Sequence, residues 1–154
     1  MIAIRPADFP TDLAIVRQLL REYAQDLGID LSFQNFQAEL ASLPGRYAPP
    51  QGRLLLAWDG SRAVGCVALR PLDDGTCEMK RLYVQPEARS RQLGRRLAAR
   101  ICREASDAGY KRMRLDTLPT MSSPRRLYST LGFEPIEPYV FNPIEGAVFL
   151  ELQL

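Results

Sequence analysis

The spacing of apolar residues changes twice in the middle of the chain, and this change restricts the possible folds more than any other feature. Residues 76–84 and 110–118 have the pattern of strands, whereas Leu93, Leu97 and Ile101 between them recur every four residues, as on a helix that lies against a sheet. A strand–helix–strand crossover of this kind joins parallel strands. The sequence therefore predicts a parallel pair within its sheet.

The remaining segments predict helices and antiparallel strands around that parallel unit. Apolar residues at helical spacing follow Thr11, and Gly28 is a typical helix end. Asp-Gly pairs separate apolar runs, which is a strong hairpin signal. We expect strands at 2–7, 53–59, 63–71, 76–84 and 110–118, helices at 11–27, about 33–43, 94–109 and 122–133, and a closing antiparallel pair within 134–141 and 146–154. Together they predict one mixed α/β domain over residues 1–154.

The composition argues against several classes of protein. The chain has no histidine, which removes Ser-His and Cys-His nucleophile pairs and argues against a zinc site. Its net charge of +2 does not favour a polyanionic partner, and no apolar run reaches the length of a membrane span. Its three cysteines lack CxxC spacing, which is typical of reduced thiols. We therefore expect a cytoplasmic protein with no metal, no nucleic-acid partner and no membrane association.

Arginines cluster around Gly94, where a strand has ended and a helix is predicted to begin. The first amides of a helix have no partner within it and the helix dipole adds positive charge there, so such an end binds phosphate. Arg89, Arg91 and Arg95 would add forked donors at the same end. The alternative is a solvated helix face, which we expect for Arg96, Arg100 and Arg103.

The motif Val84-x-Pro86-x-x-Arg89-x-x-x-x-Gly94-x-x-Leu97 resembles the acetyl-CoA-binding motif of the GNAT superfamily of N-acetyltransferases. The segments KRLYV before it, RLYSTLGF after the next strand and PYVFNP…FLELQL at the end stand in the order expected for that superfamily. The resemblance implies an α/β (α+β) fold with a mostly antiparallel sheet of about six to seven strands and four flanking helices. It also implies transfer of an acetyl group from acetyl-CoA to a primary amine, without a metal.

The resemblance assigns the coenzyme to the end of the fourth strand and the start of the third helix. Backbone groups of Leu82 and Val84 would contact the pantetheine arm and the thioester. The sequence departs from the family pattern at Gln92, which replaces a glycine of the phosphate loop, and at Met121, where an asparagine is often found. The predicted coenzyme-binding residues are Leu82, Val84, Arg89, Ser90, Arg91, Gln92, Leu93, Gly94 and Arg95.

Two residues are predicted to take part in the chemistry. Tyr128 aligns with the tyrosine that many GNAT enzymes use to protonate the departing thiolate, and the alternative is an aromatic side chain packed in the core. Glu78 matches a glutamate that deprotonates the acceptor amine in some members. Strict alternation would put Glu78 on the same side of its strand as Leu82 and Val84, facing the coenzyme. The alternatives are an ion-paired Glu78 and Asp116 as the base.

The acceptor side carries aromatic residues but no charge pattern that identifies a substrate. The leading interpretation is a small-molecule primary amine. Acetylation of a protein N terminus or lysine, and a non-catalytic acyl-CoA-binding module, are the alternatives. The closing strands also allow a homodimer. The aromatic residues that would frame the acceptor side are Tyr23, Phe33, Tyr47, Tyr139 and Phe141.

Overall fold

The computed structural model describes residues 1–118 and 122–154, and over these residues the chain forms a seven-stranded sheet with α-helices on both faces. The predicted mixed α/β class is confirmed. The strands are β1 (Ile2–Pro6), β2 (Arg53–Asp59), β3 (Arg62–Asp73), β4 (Thr76–Val84), β5 (Arg112–Thr117), β6 (Glu134–Ile136) and β7 (Val148–Gln153). The helices are α1 (Leu13–Leu27), α2 (Phe36–Ser42), α3 (Leu93–Asp107) and α4 (Ser122–Thr130). No helix in these two stretches is both long and apolar enough to cross a membrane.

The strands follow the order β1-β2-β3-β4-β5-β7-β6, and β4 and β5 are the parallel pair within an otherwise antiparallel sheet. Helix α3 makes the crossover between them, as the change in apolar spacing predicts. The parallel pairing is short, because it joins Thr76–Glu78 to Arg112–Arg114 and extends no further. Beyond this point the two strands diverge and leave an opening in the sheet.

Each face of the sheet is covered by its own apolar core. One core lies under α3, where Leu93, Leu97 and Ile101 are fully buried at the predicted helical spacing. The other lies under α1 and α2 and includes Val16 and Leu20. Complete burial of an aliphatic side chain contributes about 1.5–3 kcal/mol. These cores therefore hold the helices against the sheet on both sides of the opening.

The N-terminal helices differ from the prediction at two points. Helix α1 is preceded by Asp12 rather than Thr11 as its N-cap, although it ends at Gly28 (φ 66°) as expected. The predicted second helix is divided into a 3-10 turn at Ser32–Gln34 and helix α2, with Asn35 between them at φ 56°. Asparagine tolerates the left-handed conformation, so it breaks a segment whose apolar spacing is continuous.

A bulge in β4 overturns one prediction. Arg81 and Leu82 lie opposite the single residue Val67 of β3, and Arg81 has a φ of 63°. A bulge shifts the alternation of side chains by one residue. Consequently Leu82 and Val84 pack with the core under α3, whereas Glu78 lies on the opposite face. The prediction that Glu78 shares a face with Leu82 and Val84 is wrong, because it assumed strict alternation.

Candidate active site

A cleft of about 570 Å3, part of it continuous with solvent, opens where β4 and β5 separate. The two strands form its floor, α1 and the turn at Ser32–Gln34 form a wall, and one residue of α4 completes it. Of the predicted site residues, Leu82 and Tyr128 line this cleft. The lining residues are Tyr23, Leu27, Leu31, Phe33, Gln34, Met79, Lys80, Arg81, Leu82, Leu115, Asp116, Thr117, Leu118, Tyr128 and Asn142.

Beyond the bulge, backbone groups of β4 point toward the opening. The amide of Gln85 donates to the carbonyl of Val64 in β3 (2.8 Å), so the backbone N–H and C=O of Val84, one residue earlier, point away from β3. The carbonyl of Val84 accepts a hydrogen bond from Nε of Arg89 (2.8 Å), which agrees with that direction. The Val84 end of β4 therefore presents polar backbone groups to the space beside β5.

The N terminus of α3 is open to a ligand. Gln92 adopts the left-handed conformation (φ 52°, ψ 30°), and its side chain does not cap the helix. The amide of Arg96 donates to the carbonyl of Gln92 (3.1 Å), and the amides that precede it in the first turn lack partners inside the helix. A Cβ atom on Gly94 would lie 3.8 Å from Leu127 of α4. Leu93 is wholly buried and belongs to the core under α3. Unpaired amides beside a glycine fit a pyrophosphate.

Two of the three arginines predicted to bind phosphate, Arg89 and Arg95, make protein contacts. Arg89 pairs with Asp26 of α1 (3.0 Å) in addition to the Val84 carbonyl, and Arg95 donates to the Thr130 hydroxyl of α4 (2.6 Å). Both side chains are exposed. They link α1 and α4 to the strand–helix junction around the open amides.

Five other residues of this region were also singled out from the sequence. Ser90 and Arg91 are described by their backbone only, within a 3-10 turn at Pro86–Arg91, and Met121 lies outside the described residues. Arg96 and Arg100, which we expected in solvent, donate to the carbonyls of Ile2 (3.2 Å) and Ile4 (3.3 Å). The guanidinium groups reach these carbonyls because α3 passes β1, the edge strand of the sheet.

Tyr128 belongs to the core and also faces the cleft. Its ring is 6% exposed and lies edge-on to Phe133, with the ring centroids 5.6 Å apart. Its hydroxyl makes no hydrogen bond with any residue that the structure describes. Burial raises the pKa of this phenol, so it is protonated at neutral pH. Core packing and a position in the cleft, which the sequence presented as alternatives, occur together.

Glu78 lies in a row of alternating charges that crosses the sheet. Arg70 of β3, Glu78, Arg114 of β5 and Glu151 of β7 are successive register partners. One carboxylate oxygen of Glu78 accepts a hydrogen bond from Arg70 (2.9 Å), the other accepts one from the Tyr139 hydroxyl (2.8 Å), and the residue is 1% exposed. Glu78 is thus ion-paired, and it is absent from the described lining of the cleft.

A lysine and an aspartate from the two diverging strands form the polar floor of the cleft. Nζ of Lys80 lies 3.9 Å from Oδ1 of Asp116 and 3.3 Å from Oε1 of Gln34, and Asn142 donates to Oδ2 of Asp116 (2.9 Å). Burial lowers the pKa of Lys80. Sequence reasoning missed Lys80, Gln34 and Asn142 as cleft residues. The available signal was a lysine within a strand that also contains Glu78 and Arg81.

Arg81, in the bulge of β4, contacts α2 and the turn that forms the wall of the cleft. Its guanidinium makes two hydrogen bonds to the carboxylate of Glu39 (2.9 and 2.8 Å) and one to Gln34 (2.7 Å). It also lies over the rings of Phe36 (5.1 Å) and Tyr23 (5.5 Å). These contacts hold a non-glycine residue in the left-handed conformation, which costs roughly 1–2 kcal/mol. The bulge that opens the cleft therefore depends on the N-terminal helices.

The aromatic residues predicted for the acceptor side take different places. Tyr23 and Phe33 line the cleft. Phe141 lies edge-on to Phe33 (6.4 Å between centroids) and is 74% exposed, so the two rings stand at the mouth of the cleft. Tyr47 belongs to the core under α1 and α2, and Tyr139 contacts the row of charges.

The family model described as Acetyltransferase (GNAT) family matches residues 13–133, which include both diverging strands and the open start of α3. The chain belongs to the GNAT family of acetyltransferases. Its fold and its class of enzyme, an N-acetyltransferase, agree with the prediction from the sequence. Acetyl transfer that depends on acetyl-CoA is the general activity of this family.

Individual relatives are similar to this GNAT protein over nearly its whole length. It is 44% identical to an uncharacterized N-acetyltransferase of Schizosaccharomyces pombe over 155 residues, which cover 99% of this chain and 95% of the relative. It is 36% identical to the IAA acetyltransferase of Azospirillum brasilense over 151 residues, or 94% of each chain. The PaiA N-acetyltransferase of Thermoplasma acidophilum, solved in complex with coenzyme A, has a TM-score of 0.78 at 19% identity, with 100% of this chain and 99% of the other covered. At that identity the similarity concerns the fold alone.

Proposed function

We propose that this GNAT protein transfers an acetyl group from acetyl-CoA directly to the primary amine of a small molecule while both substrates are bound. One observation carries the proposal: a single cleft is lined by Leu82 of the bulged strand, by Tyr128 and by Asp116. The pyrophosphate of the coenzyme would bind the open amides at the start of α3. The thioester would then lie beside β4, with its carbonyl oxygen near the Leu82 amide.

The transfer step requires two proton movements, and the cleft has a group for each. The amine nitrogen attacks the thioester carbon, a C–N bond forms, and the C–S bond breaks with its electron pair on sulfur. Tyr128 gives its hydroxyl proton to the thiolate. A phenol can do this because its ordinary pKa lies within a unit or two of that of a thiol; burial raises the pKa of Tyr128 above that value in the free protein. The nitrogen, acidic once it has attacked, loses its proton to a carboxylate.

We propose Asp116 as that carboxylate. Oδ2 of Asp116 accepts a hydrogen bond from Asn142, whereas Oδ1 faces Lys80 at 3.9 Å, which is beyond hydrogen-bonding distance. Glu78, predicted from the resemblance, has a protein donor on each carboxylate oxygen. A base must lie within reach of the proton that it takes, and Asp116 lines the cleft. The role of Glu78 as a base stays a prediction.

The first experiment measures release of coenzyme A from acetyl-CoA over a panel of primary amines. Tyr128→Phe is expected to lower kcat by about 100-fold if Tyr128 is the acid, with little change in the dissociation constant of acetyl-CoA measured by calorimetry. Tyr110→Phe is the matched control, because the Tyr110 hydroxyl donates to the carbonyl of Gln51 on the surface. Coenzyme binding without acetylation of any amine or peptide would refute the proposed function in favour of a non-catalytic module. Activity on peptides alone would favour the protein-modifying alternative.

The choice of base is tested by pH profiles of kcat/KM. Asp116→Asn is expected to remove the acidic limb of the profile, whereas Glu78→Gln should keep that limb even if it lowers stability. The reverse pattern would identify Glu78 as the base. Loss of folding is checked separately, by circular dichroism of each variant.

A further inference from the structure

The ammonium group of Lys80 is buried in the floor of the cleft and makes fewer hydrogen bonds with the described residues than it has donors. An ammonium has three N–H donors. Within the described residues it makes one hydrogen bond, to Gln34 (3.3 Å), and it lies 3.9 Å from the nearest oxygen of Asp116. The Lys80 side chain is 6% exposed, so bulk water does not freely satisfy the remaining donors. The ion pair with Asp116 offsets the buried charge, and the remaining donors can still bind a further acceptor.

The opposite charge beside it is also incompletely used. Oδ2 of Asp116 accepts a hydrogen bond from Asn142, and Oδ1 accepts none from the described residues. This side chain is 7% exposed. As far as residues 1–118 and 122–154 are described, the floor of the cleft therefore presents donors and an acceptor without hydrogen bonds side by side. This arrangement complements a ligand that itself carries a negative and a positive group.

The separation of the two charges limits the ligand further. Nζ of Lys80 and Oδ1 of Asp116 are 3.9 Å apart, so a ligand that contacts both must carry its two opposite charges close together. An ammonium and a carboxylate attached to one carbon meet this condition, because standard bond lengths put about 2.5 Å between the nitrogen and the carboxylate carbon. A simple amine would bring only positive charge into a cleft that already contains a buried ammonium. A carboxylate in the same ligand offsets that repulsion and neutralises Lys80, whose charged form burial disfavours.

The wall above this floor is apolar. Leu27, Leu31 and Phe33 line it, and the exposed ring of Phe141 extends it at the mouth of the cleft. A ligand side chain attached to the carbon between the ammonium and the carboxylate would contact this wall. An apolar side chain gains from that contact, whereas a charged one loses its hydration.

We infer that the acceptor is an α-amino acid with a free carboxylate and an apolar side chain, its amine at Asp116 and its carboxylate at Lys80. The inference rests on the proposed function, since it names the substrate of that same cleft. The amide nitrogen of the product would remain near Asp116, and the carboxylate would be unchanged by the reaction. Lys80 is thereby a specificity residue.

The test compares three acceptors that share one apolar group: leucine, leucinamide and 3-methylbutylamine. The wild-type protein is expected to acetylate leucine with a kcat/KM about 10- to 100-fold above the other two, mainly through a lower KM, because a charge-assisted contact is gained. Aspartate is expected to be a poor acceptor. Equal or better use of the two acceptors without a carboxylate overturns the inference, and it does so without any variant.

Lys80→Met tests the residue itself. This change keeps the length of the side chain and removes its charge, and it should reduce the preference for leucine over 3-methylbutylamine to near one. Lys80→Gln, which keeps hydrogen bonding without charge, should retain part of the preference. Lys111→Met, at an exposed lysine, is the control and should keep the full preference. An unchanged preference in Lys80→Met overturns the inference. Failure to acetylate any amine or peptide defeats the proposed function itself, whereas acetylation without a carboxylate preference defeats this inference alone.

Discussion

Replacement of Arg81 by alanine is expected to destabilise the protein strongly, because the contact that it removes is buried on both sides. The guanidinium side chain is 1% exposed and the Glu39 carboxylate 12%, and two hydrogen bonds join them. Removal of one partner of a buried ion pair leaves the other charge uncompensated, at a cost of about 3–5 kcal/mol. For a chain of this length that loss lowers Tm by roughly 6–20 °C.

The pH dependence of this effect follows from Glu39. Burial raises its pKa, but the hydrogen bonds and charge of Arg81 more than offset this, so the pKa in the folded protein lies below its usual value. The carboxylate therefore contributes stability above its unfolded pKa, and this contribution is lost as the pH falls through the folded pKa. In the Arg81→Ala variant Glu39 is still buried but has lost the charge and hydrogen bonds of Arg81, so its pKa in the folded protein rises. The ionised carboxylate then opposes folding at neutral pH, and its protonation relieves the cost.

The assay is urea unfolding of wild type and Arg81→Ala between pH 7 and pH 4, followed by circular dichroism. The difference in free energy of unfolding is expected to shrink as the pH falls. Arg62→Ala is the control, because Arg62 and Glu87 form an ion pair that is 62% and 66% exposed, and such pairs contribute about 0–1 kcal/mol. A difference below about 1 kcal/mol, or one that does not change with pH, would refute the reasoning.

Three further predictions concern the start of α3 and the thiols. Gln92→Gly should raise the free energy of unfolding by roughly 0.5–1 kcal/mol in urea titrations, because glycine adopts the left-handed conformation of residue 92 with less strain than glutamine. A variant less stable than the wild type would contradict this. Gly94→Glu should weaken acetyl-CoA binding in calorimetry at least about 10-fold through bulk and charge at the phosphate seat. Ala99→Glu, on the exposed part of the same helix, should not. Burial raises the pKa of Cys66 to about 12 and that of Cys102 to about 11, so a disulfide reagent at pH 8 should label the folded protein far more slowly than the unfolded one.

Local spacing in the sequence was sufficient to predict most of the elements that surround the cleft, although not the division of the second helix at Asn35. The period of four residues at Leu93, Leu97 and Ile101 predicted α3, and α3 in turn predicted the parallel pair, because a helical crossover returns the chain in the same direction. Gly28 correctly marked the end of α1. Such signals come from residues within one element, so they can be recognised in the sequence without knowledge of tertiary contacts.

The contents of the cleft depended on contacts between distant residues. The phase of side chains in β4 changes at Arg81, whose partner Glu39 lies 42 residues earlier in the chain. No periodicity within β4 indicates that contact, and the expected position of Glu78 was wrong for this reason. Lys80 and Asp116 likewise come from two strands that pair at one end and separate at the other.

The sequence by itself determined the order of helices and strands, the glycine-containing helix start and membership of the GNAT family. The tertiary structure alone decided which polar groups meet in the cleft. Contacts with α2 stabilise the bulge in β4, and Lys80 lies beside Asp116. Glu78 instead pairs with Arg70, outside the described lining of the cleft. The physical reason is that the backbone conformation of an element reflects its own residues, whereas the burial and pairing of a charge depend on whatever the fold brings next to it.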